Sequence, residues 1–186
     1  LKVKSAKLKV LLKEIKDSKK LSPKKREELY KILTTHPCIE WGIGRVSEKV
    51  IDKINILEAT KLAMIKAIIN LEKKLSLIFY DRRKQGIIDF LIIDGNFKIY
   101  YSDGRIRISR GRRPSERFSD AIPQKSIIKG DEKVFSCAAA SIIAKVYRDA
   151  IMKRYHKKYP KYNFAQHKGY PTKLHRKMLK KYGPCD

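Results

Sequence analysis

An almost unbroken apolar run occupies residues 87–93 and stops at Asp94-Gly95-Asn96. A run with so little alternation is typical of a strand buried on both faces, as in the sheet of an α/β protein. A second short strand is predicted at residues 126–128, before Lys129-Gly130-Asp131. Because strands alternate with predicted helices, the pattern favours a single α/β domain over residues 1–186.

Helix boundaries are signalled by capping residues. Ser22 can cap a helix whose first residue, Pro23, loses nothing by lacking an N–H, and Gly183 is placed to end the last helix. Apolar residues at three- and four-residue steps predict a long helix after Ser47. The predicted elements are helix 23–33, strand 39–44, helix 47–75, a hairpin or exposed loop within 97–118, helix 133–155, and a helix from a Thr172 cap to Tyr182.

The charge of the chain is unusual. It contains 45 Lys and Arg residues against 19 Asp and Glu residues, a formal net charge of +26. An excess of this size favours a polyanionic partner, because each phosphate that a protein neutralises releases counterions. A lysine-rich proteome, which adds basic residues to every protein, is the alternative explanation.

The cysteines and the apolar runs indicate where in the cell the protein is located. Cys38, Cys137 and Cys185 are far apart and form no CxxC pair, which speaks against a zinc ribbon or a disulfide framework. No apolar run reaches the ~18 residues of a membrane span. We therefore expect a cytoplasmic protein without a membrane partner.

Two carboxylates stand out by position. Asp94 ends one predicted strand, and Asp131 follows the other and precedes a helix. Loops at strand ends hold the sites of open α/β sheets, and two carboxylates that converge there would be reconciled by a divalent cation. Oxygen ligands favour Mg²⁺ or Mn²⁺. The alternatives are that Asp94 only turns the chain and that Asp131 only caps a helix.

Two further clusters could contact nucleic acid. Gly169 and Pro171 restrict the backbone around Tyr170, so its ring can be presented for stacking beside His167, unless it packs over the helix start. Lys19 and Lys20 lie among hydroxyl residues just before a helix and could hold a phosphate. In so basic a chain, a pair of lysines is weak evidence by itself.

Six segments carry a resemblance to a known family and occur in that family's order. The segments are residues 17–22 (DSKKLS), 54–60 (INILEAT), 93–96 (IDGN), 128–131 (IKGD), 138–146 (AAASIIAKV) with Arg148-Asp149, and 164–172 (FAQHKGYPT). The stretches 129–149 and 164–172 are the most specific. Together they resemble bacterial ribonuclease HII over nearly the whole chain.

The resemblance implies a metal-dependent endoribonuclease on a ribonuclease H-like α/β fold, a mixed sheet flanked by helices. Such enzymes hydrolyse the RNA strand of RNA–DNA hybrids and cut 5′ of ribonucleotides embedded in DNA, leaving 5′ phosphates, with two Mg²⁺ or Mn²⁺ ions. By motif, Asp94 and Asp131 match two of four acidic ligands, and Tyr170 matches a tyrosine that stacks at the RNA–DNA junction. Lys19, Lys20 and His167 resemble residues along the substrate path, whereas Arg148 and Asp149 match a pair whose role is structural.

One departure matters. The family opens with a strand carrying an Asp-Glu pair before Gly-Arg-Gly, and no Asp-Glu-x-Gly-Arg-Gly occurs here. We therefore expect a fragment that lacks the first strands, is inactive alone, and keeps a C-terminal helical part at about residues 150–186 carrying the tyrosine. The complete protein is expected to be a monomer. The alternatives are an inactive product, a non-catalytic basic nucleic-acid-binding protein, and a nuclease without preference for single ribonucleotides.

Overall fold

The computed structural model describes Ile15 and residues 21–78, 88–99, 101–102, 105–106 and 122–185. It shows a mixed α/β arrangement that is mostly helical, with a small parallel sheet. Its helices are α1 (Pro23–Thr35), α2 (Glu48–Ile78), α3 (Gly130–Lys133), α4 (Phe135–Lys158), α5 (Phe164–His167) and α6 (Lys173–Tyr182), with a 3-10 turn at Pro160–Tyr162. In the part of the chain described, no helix is both long and apolar enough to cross a bilayer.

The predicted helix caps are confirmed. The Ser22 hydroxyl accepts a hydrogen bond from the Lys25 N–H at 3.3 Å, and Pro23 is the first residue of α1. At the other end of the chain, the Thr172 hydroxyl accepts from the His175 N–H at 3.2 Å, and α6 ends before Gly183. These contacts are local, so the sequence pattern locates both helix starts.

The parallel sheet pairs β1 (Leu91–Asp94) with β4 (Gln124–Ile127), so that Asp94 lies opposite Ile127. Both strands are shorter or shifted relative to the prediction. The prediction that β1 is buried on both faces was wrong, because Ile93 is buried but Ile92 is exposed. Ile93 packs with Ile65, Ile68 and Ile99, whereas the described residues do not cover the other face.

The predicted strand at residues 39–44 was also wrong. The segment joins no strand ladder among the described residues and lies along α2 instead. The Asn70 side-chain amide donates to the Ile43 carbonyl at 2.7 Å, and the Lys66 ammonium donates to the Arg45 carbonyl at 3.3 Å. Side chains of a helix therefore satisfy backbone groups that a neighbouring strand would otherwise bind.

The hairpin expected within residues 97–118 is confirmed in part. The strands β2 (Tyr101–Ser102) and β3 (Arg105–Ile106) pair antiparallel, with Tyr101 opposite Ile106. Residues 107–121 lie outside the described part of the chain. The long helix is interrupted at Asn55, whose φ of 67° is left-handed and whose Oδ1 accepts from the Leu57 and Glu58 N–H groups. Asn55 thus caps the second, longer half of α2.

The main core forms where α1 meets the first turns of α4. Small residues there allow the two helices to lie close together, because Ala138 and Ala139 are buried against α1. The buried members are Ile15, Leu29, Leu33, Ala138, Ala139, Ile142 and Ile143. This core holds the start of α4 in place, and the start of α4 borders the site described below.

Replacing Ile142 with Ala is expected to lower the free energy of unfolding by about 2–5 kcal/mol, because Ile142 is fully buried and the truncation leaves a cavity. Urea unfolding followed by circular dichroism measures this loss. The matched control is Ile32→Ala on α1, where the side chain is exposed and the expected loss is below about 1 kcal/mol. Equal losses at the two positions would contradict the described core.

Candidate active site

Two acidic residues lie at the carboxyl end of the parallel sheet. Asp94 is the last residue of β1, and Asp131 lies in α3, four residues after the end of β4. The Gly130 N–H donates to Asp94 Oδ1 at 2.8 Å, so the residue before Asp131 is bonded directly to the other carboxylate. Asp94 is exposed, whereas Asp131 is 3% exposed. Asp94 and the turn that carries Asp131 therefore lie at the same edge of the sheet, as the parallel strand ends predict.

A tight turn makes this approach possible. Lys129 has a left-handed φ of 56°, which swings the chain from β4 into α3. A Cβ on Gly130 would lie 3.2 Å from Asp94 Cα and 3.3 Å from Cys137 Sγ, closer than most side chains tolerate. Glycine at position 130 thus lets the two strand ends come together.

The thiol of Cys137 lies close to the turn that joins the two acidic residues, because a Cβ on Gly130 would lie 3.3 Å from its Sγ. Burial raises the pKa of the Cys137 thiol most, and the negative charges of Asp94 and Asp131 raise the pKa further. The thiol donates weakly to the Ile92 carbonyl at 3.7 Å. The sequence gives no sign of this role for Cys137, because only the fold places the first turn of α4 beside Gly130 and Ile92.

The donor chemistry of the pair suits a hard divalent cation. Carboxylate oxygens are the ligands that Mg²⁺ and Mn²⁺ prefer. The described residues contain no group of three or more His, Cys, Asp and Glu side chains able to hold a metal. The described part of the chain therefore offers the carboxylates of Asp94 and Asp131 to a cation.

The loop before α6 presents Tyr170. Its ring is 48% exposed, and its backbone is held on both sides. The Tyr170 N–H donates to the His167 carbonyl at 2.8 Å, and the Tyr170 carbonyl accepts from the Thr172 N–H at 2.8 Å and from His175 Nδ1 at 3.0 Å. The guanidinium carbon of Arg148 lies 4.1 Å from the ring centroid. A held, half-exposed ring is the arrangement that stacking requires.

His167, which the resemblance places along the substrate path, is buried. It is 4% exposed, and its ring stacks on His175 with 4.1 Å between centroids. Its Nδ1 accepts from the Gly169 N–H at 3.1 Å, so its Nε2 carries the proton and donates to the Tyr162 carbonyl at 2.8 Å. With both nitrogens engaged by backbone, His167 shapes the Tyr170 loop and has no nitrogen left to contact a substrate.

Comparison with known proteins decides the family. The family model described as Ribonuclease HII matches residues 3–186. The chain belongs to the ribonuclease HII family. Among its curated relatives, proteins named Ribonuclease HII from Alkaliphilus metalliredigens, Chlamydia trachomatis serovar A and Chlamydia muridarum are 44%, 43% and 45% identical to it. These matches cover 95%, 92% and 92% of this chain and 73%, 64% and 64% of the respective relatives.

Family membership confirms the resemblance seen in the sequence motifs, and the small parallel sheet with its helices is consistent with a ribonuclease H-like fold. It does not by itself test individual residues. Lys19 and Lys20, predicted to contact substrate, lie outside the described residues. Their role stays a prediction.

Because His167 is buried, the stability of this member of the ribonuclease HII family is expected to depend on pH. Burial lowers the pKa of His167 below its ordinary 6.5. The hydrogen bond to the Tyr162 carbonyl opposes part of this shift, and the nearby His175 lowers the pKa slightly further. As the pH falls, His167 therefore binds its second ring proton in the unfolded chain before it does so in the folded chain. Stability is expected to fall as the pH drops below 6.5 and to level off below the lowered pKa, with a slope of at most about 1.4 kcal/mol per pH unit.

Urea unfolding between pH 7.5 and 5 in wild type and in His167→Gln measures this effect. The variant is expected to lose the His167 part of the slope, whatever its stability at neutral pH. An unchanged slope in His167→Gln would show that His167 does not cause the pH dependence.

Proposed function

We propose that the protein is an endoribonuclease that hydrolyses the RNA strand of RNA–DNA hybrids and cuts 5′ of ribonucleotides embedded in DNA. The observation that carries the proposal is the meeting of Asp94 and Asp131 at the end of the parallel strands, in a chain of the ribonuclease HII family. The net charge of +26 supports a polyanionic duplex as substrate.

Asp94 and Asp131 would hold Mg²⁺ or Mn²⁺. When bound, such ions supply Lewis-acid chemistry for phosphodiester hydrolysis by activating water and stabilising the departing oxygen, and two ions can share these tasks. The chain contributes the orientation of its carboxylates. The Gly130 N–H fixes one oxygen of Asp94, and the buried setting of Asp131 restricts where that side chain can point.

Tyr170 would fix the position of the duplex by stacking on a sugar or base, since one face of its ring is covered by Arg148 while the ring remains half-exposed. Lys19 and Lys20 would contact phosphates. His167 would act indirectly, by holding the loop that carries Tyr170.

Cleavage of end-labelled duplexes by the intact protein tests the proposal. The substrates are an RNA–DNA hybrid, a DNA duplex with one embedded ribonucleotide, and a DNA duplex of the same sequence. We expect cleavage of the first two with Mg²⁺ or Mn²⁺, no cleavage in chelator, and none of the all-DNA duplex. Equal cutting in chelator, or equal cutting of all-DNA duplex, would overturn the assignment.

A non-catalytic nucleic-acid-binding protein is the second candidate. It is favoured by the basic charge of the chain. It predicts strongly salt-dependent binding of duplexes without metal-dependent cutting. The same assay distinguishes the two, because only the nuclease produces metal-dependent cleavage.

A further inference from the structure

We propose that Arg148 is a positioning residue that fixes the ring of Tyr170 relative to the carboxylate pair, and so sets where the substrate strand is cut. This inference rests on the proposed nuclease function and adds to it. It assigns a role to a side chain whose motif alone indicated only a structural part. The starting observation is the Arg148 guanidinium carbon 4.1 Å from the centroid of the Tyr170 ring.

The first step is that Arg148 covers one face of a ring whose backbone is already held. Hydrogen bonds fix the main chain of Tyr170, as described above, but none of them fixes the rotation of its side chain. A guanidinium against the ring does so, through a cation–π attraction that is stronger where water is partly excluded. Among the described residues, no ion pair joins Arg148 to a carboxylate that would compete with the ring.

The second step is that the loop is shaped to reach Arg148. Lys168 and Gly169 both have left-handed φ values, 52° and 76°. A Cβ on Gly169 would lie 3.3 Å from Met152 Cε and 3.5 Å from Arg148 Nη2. The backbone directly before Tyr170 therefore lies against the side chains of Met152 and Arg148 on α4, which brings the ring over Arg148.

The third step links the ring to the carboxylates. Cys137, on the first turn of α4, lies against Gly130, the residue before Asp131, and donates to the carbonyl of Ile92, two residues before Asp94. Arg148 lies 11 residues further along the same helix. At 1.5 Å per residue this is about 16 Å along the axis of one continuous helix. Helix α4 thus carries both Arg148, which contacts the Tyr170 ring, and Cys137, which lies beside the turn of the acidic residues. Changing Arg148 should shift the Tyr170 ring relative to Asp94 and Asp131, and with it the cut position, without altering the two carboxylates.

A direct contact of Arg148 with a phosphate is the competing explanation. The two roles differ in their dependence on Tyr170. A positioning residue matters only while the ring is present, whereas a phosphate contact weakens binding with or without the ring. A phosphate contact also reduces the slope of log K against log[salt] by about one.

The test is a double-mutant cycle on the intact protein. Equilibrium binding of a DNA duplex with one embedded ribonucleotide is measured in chelator, so that no cleavage occurs, for wild type, Arg148→Met, Tyr170→Ala and the double variant. Arg154→Met is the matched control, an exposed arginine on the same helix. Arg148→Lys serves as the conservative variant. Cut positions are then mapped with Mg²⁺ present.

We expect Arg148→Met to weaken binding roughly three- to tenfold and to spread the cut positions over neighbouring nucleotides. Arg148→Lys should recover part of both, and Arg154→Met should match wild type. When Tyr170→Ala is already present, adding Arg148→Met should weaken binding of the duplex by a further factor of less than about two.

Two results would overturn the inference while leaving the proposed function intact. The first is an equal penalty for Arg148→Met with and without the ring, and the second is unchanged binding and cut position in Arg148→Met when Tyr170→Ala is impaired. If Tyr170→Ala binds like wild type, the positioning role is overturned as well, because there is then no stacking to position. Failure of the nuclease assignment appears separately, as the absence of metal-dependent cutting by wild type.

Discussion

Asp94→Asn in the intact protein is expected to reduce metal-dependent cleavage of an RNA–DNA hybrid by about a hundredfold or more. Loss of an outer-shell partner alone costs ten- to a hundredfold in metal sites, and a direct ligand should cost at least as much. Asn keeps the shape of Asp94, and its side-chain oxygen can still accept from the Gly130 N–H, so the strand ends should stay together. Only the negative charge that attracts the cation is removed. The comparison of initial cleavage rates in Mg²⁺ and in Mn²⁺ measures the effect.

The matched control is Asp89→Asn, an exposed aspartate just before β1 that lies away from the end of the strand. It changes the net charge by the same amount and should cleave like wild type. Asp131→Asn is expected to resemble Asp94→Asn. Binding of the hybrid in chelator should be unchanged or slightly tighter in both active-site variants, because a negative charge near the phosphates is lost. Wild-type cleavage rates in Asp94→Asn would remove this residue from the proposed site.

Tyr170→Ala is expected to weaken binding of a duplex with an embedded ribonucleotide roughly ten- to a hundredfold. Stacking of one base on an aromatic side chain contributes about 1–3 kcal/mol, and this contribution disappears with the ring. Tyr170→Phe keeps the ring and should bind within about threefold of wild type, since the described contacts of Tyr170 involve its ring and its backbone. Fluorescence anisotropy of a labelled duplex in chelator gives both affinities.

Tyr155→Ala is the control for a general aromatic effect, because Tyr155 is similarly exposed at 43% but contacts Phe164 rather than the Tyr170 loop backbone. It should bind like wild type. If Tyr155→Ala loses as much affinity as Tyr170→Ala, the interaction is a diffuse surface contact and Tyr170 has no special position in it.

The features that the sequence predicted correctly depend on local chemistry or on a simple topological rule. Ser22 and Thr172 cap helices because their hydroxyls reach N–H groups three residues away, which is visible in the order of residues alone. The meeting of Asp94 and Asp131 followed from the rule that the carboxyl ends of parallel strands share one edge. Both inferences need only the position of a residue at an element end.

The features that the sequence missed depend on contacts between distant parts of the chain. Residues 39–44 have the composition of a strand, but Asn70, 27 residues away from Ile43, binds their backbone instead. Nothing in the sequence indicated that His167 is buried, because its burial results from packing against Phe164 and His175. The break at Asn55 lies within an uninterrupted helical periodicity, so the pattern gave no sign of it.

We propose that Asp94 and Asp131 together hold the divalent cation. The most direct test is a crystal structure of the intact protein with Mn²⁺ and an uncleaved hybrid, with the cation located by its anomalous scattering. We predict an anomalous peak about 2.0–2.2 Å from a carboxylate oxygen of each aspartate, the distance usual for small divalent ions bound by oxygen. A peak that contacts neither carboxylate, or none at saturating Mn²⁺, would contradict the account.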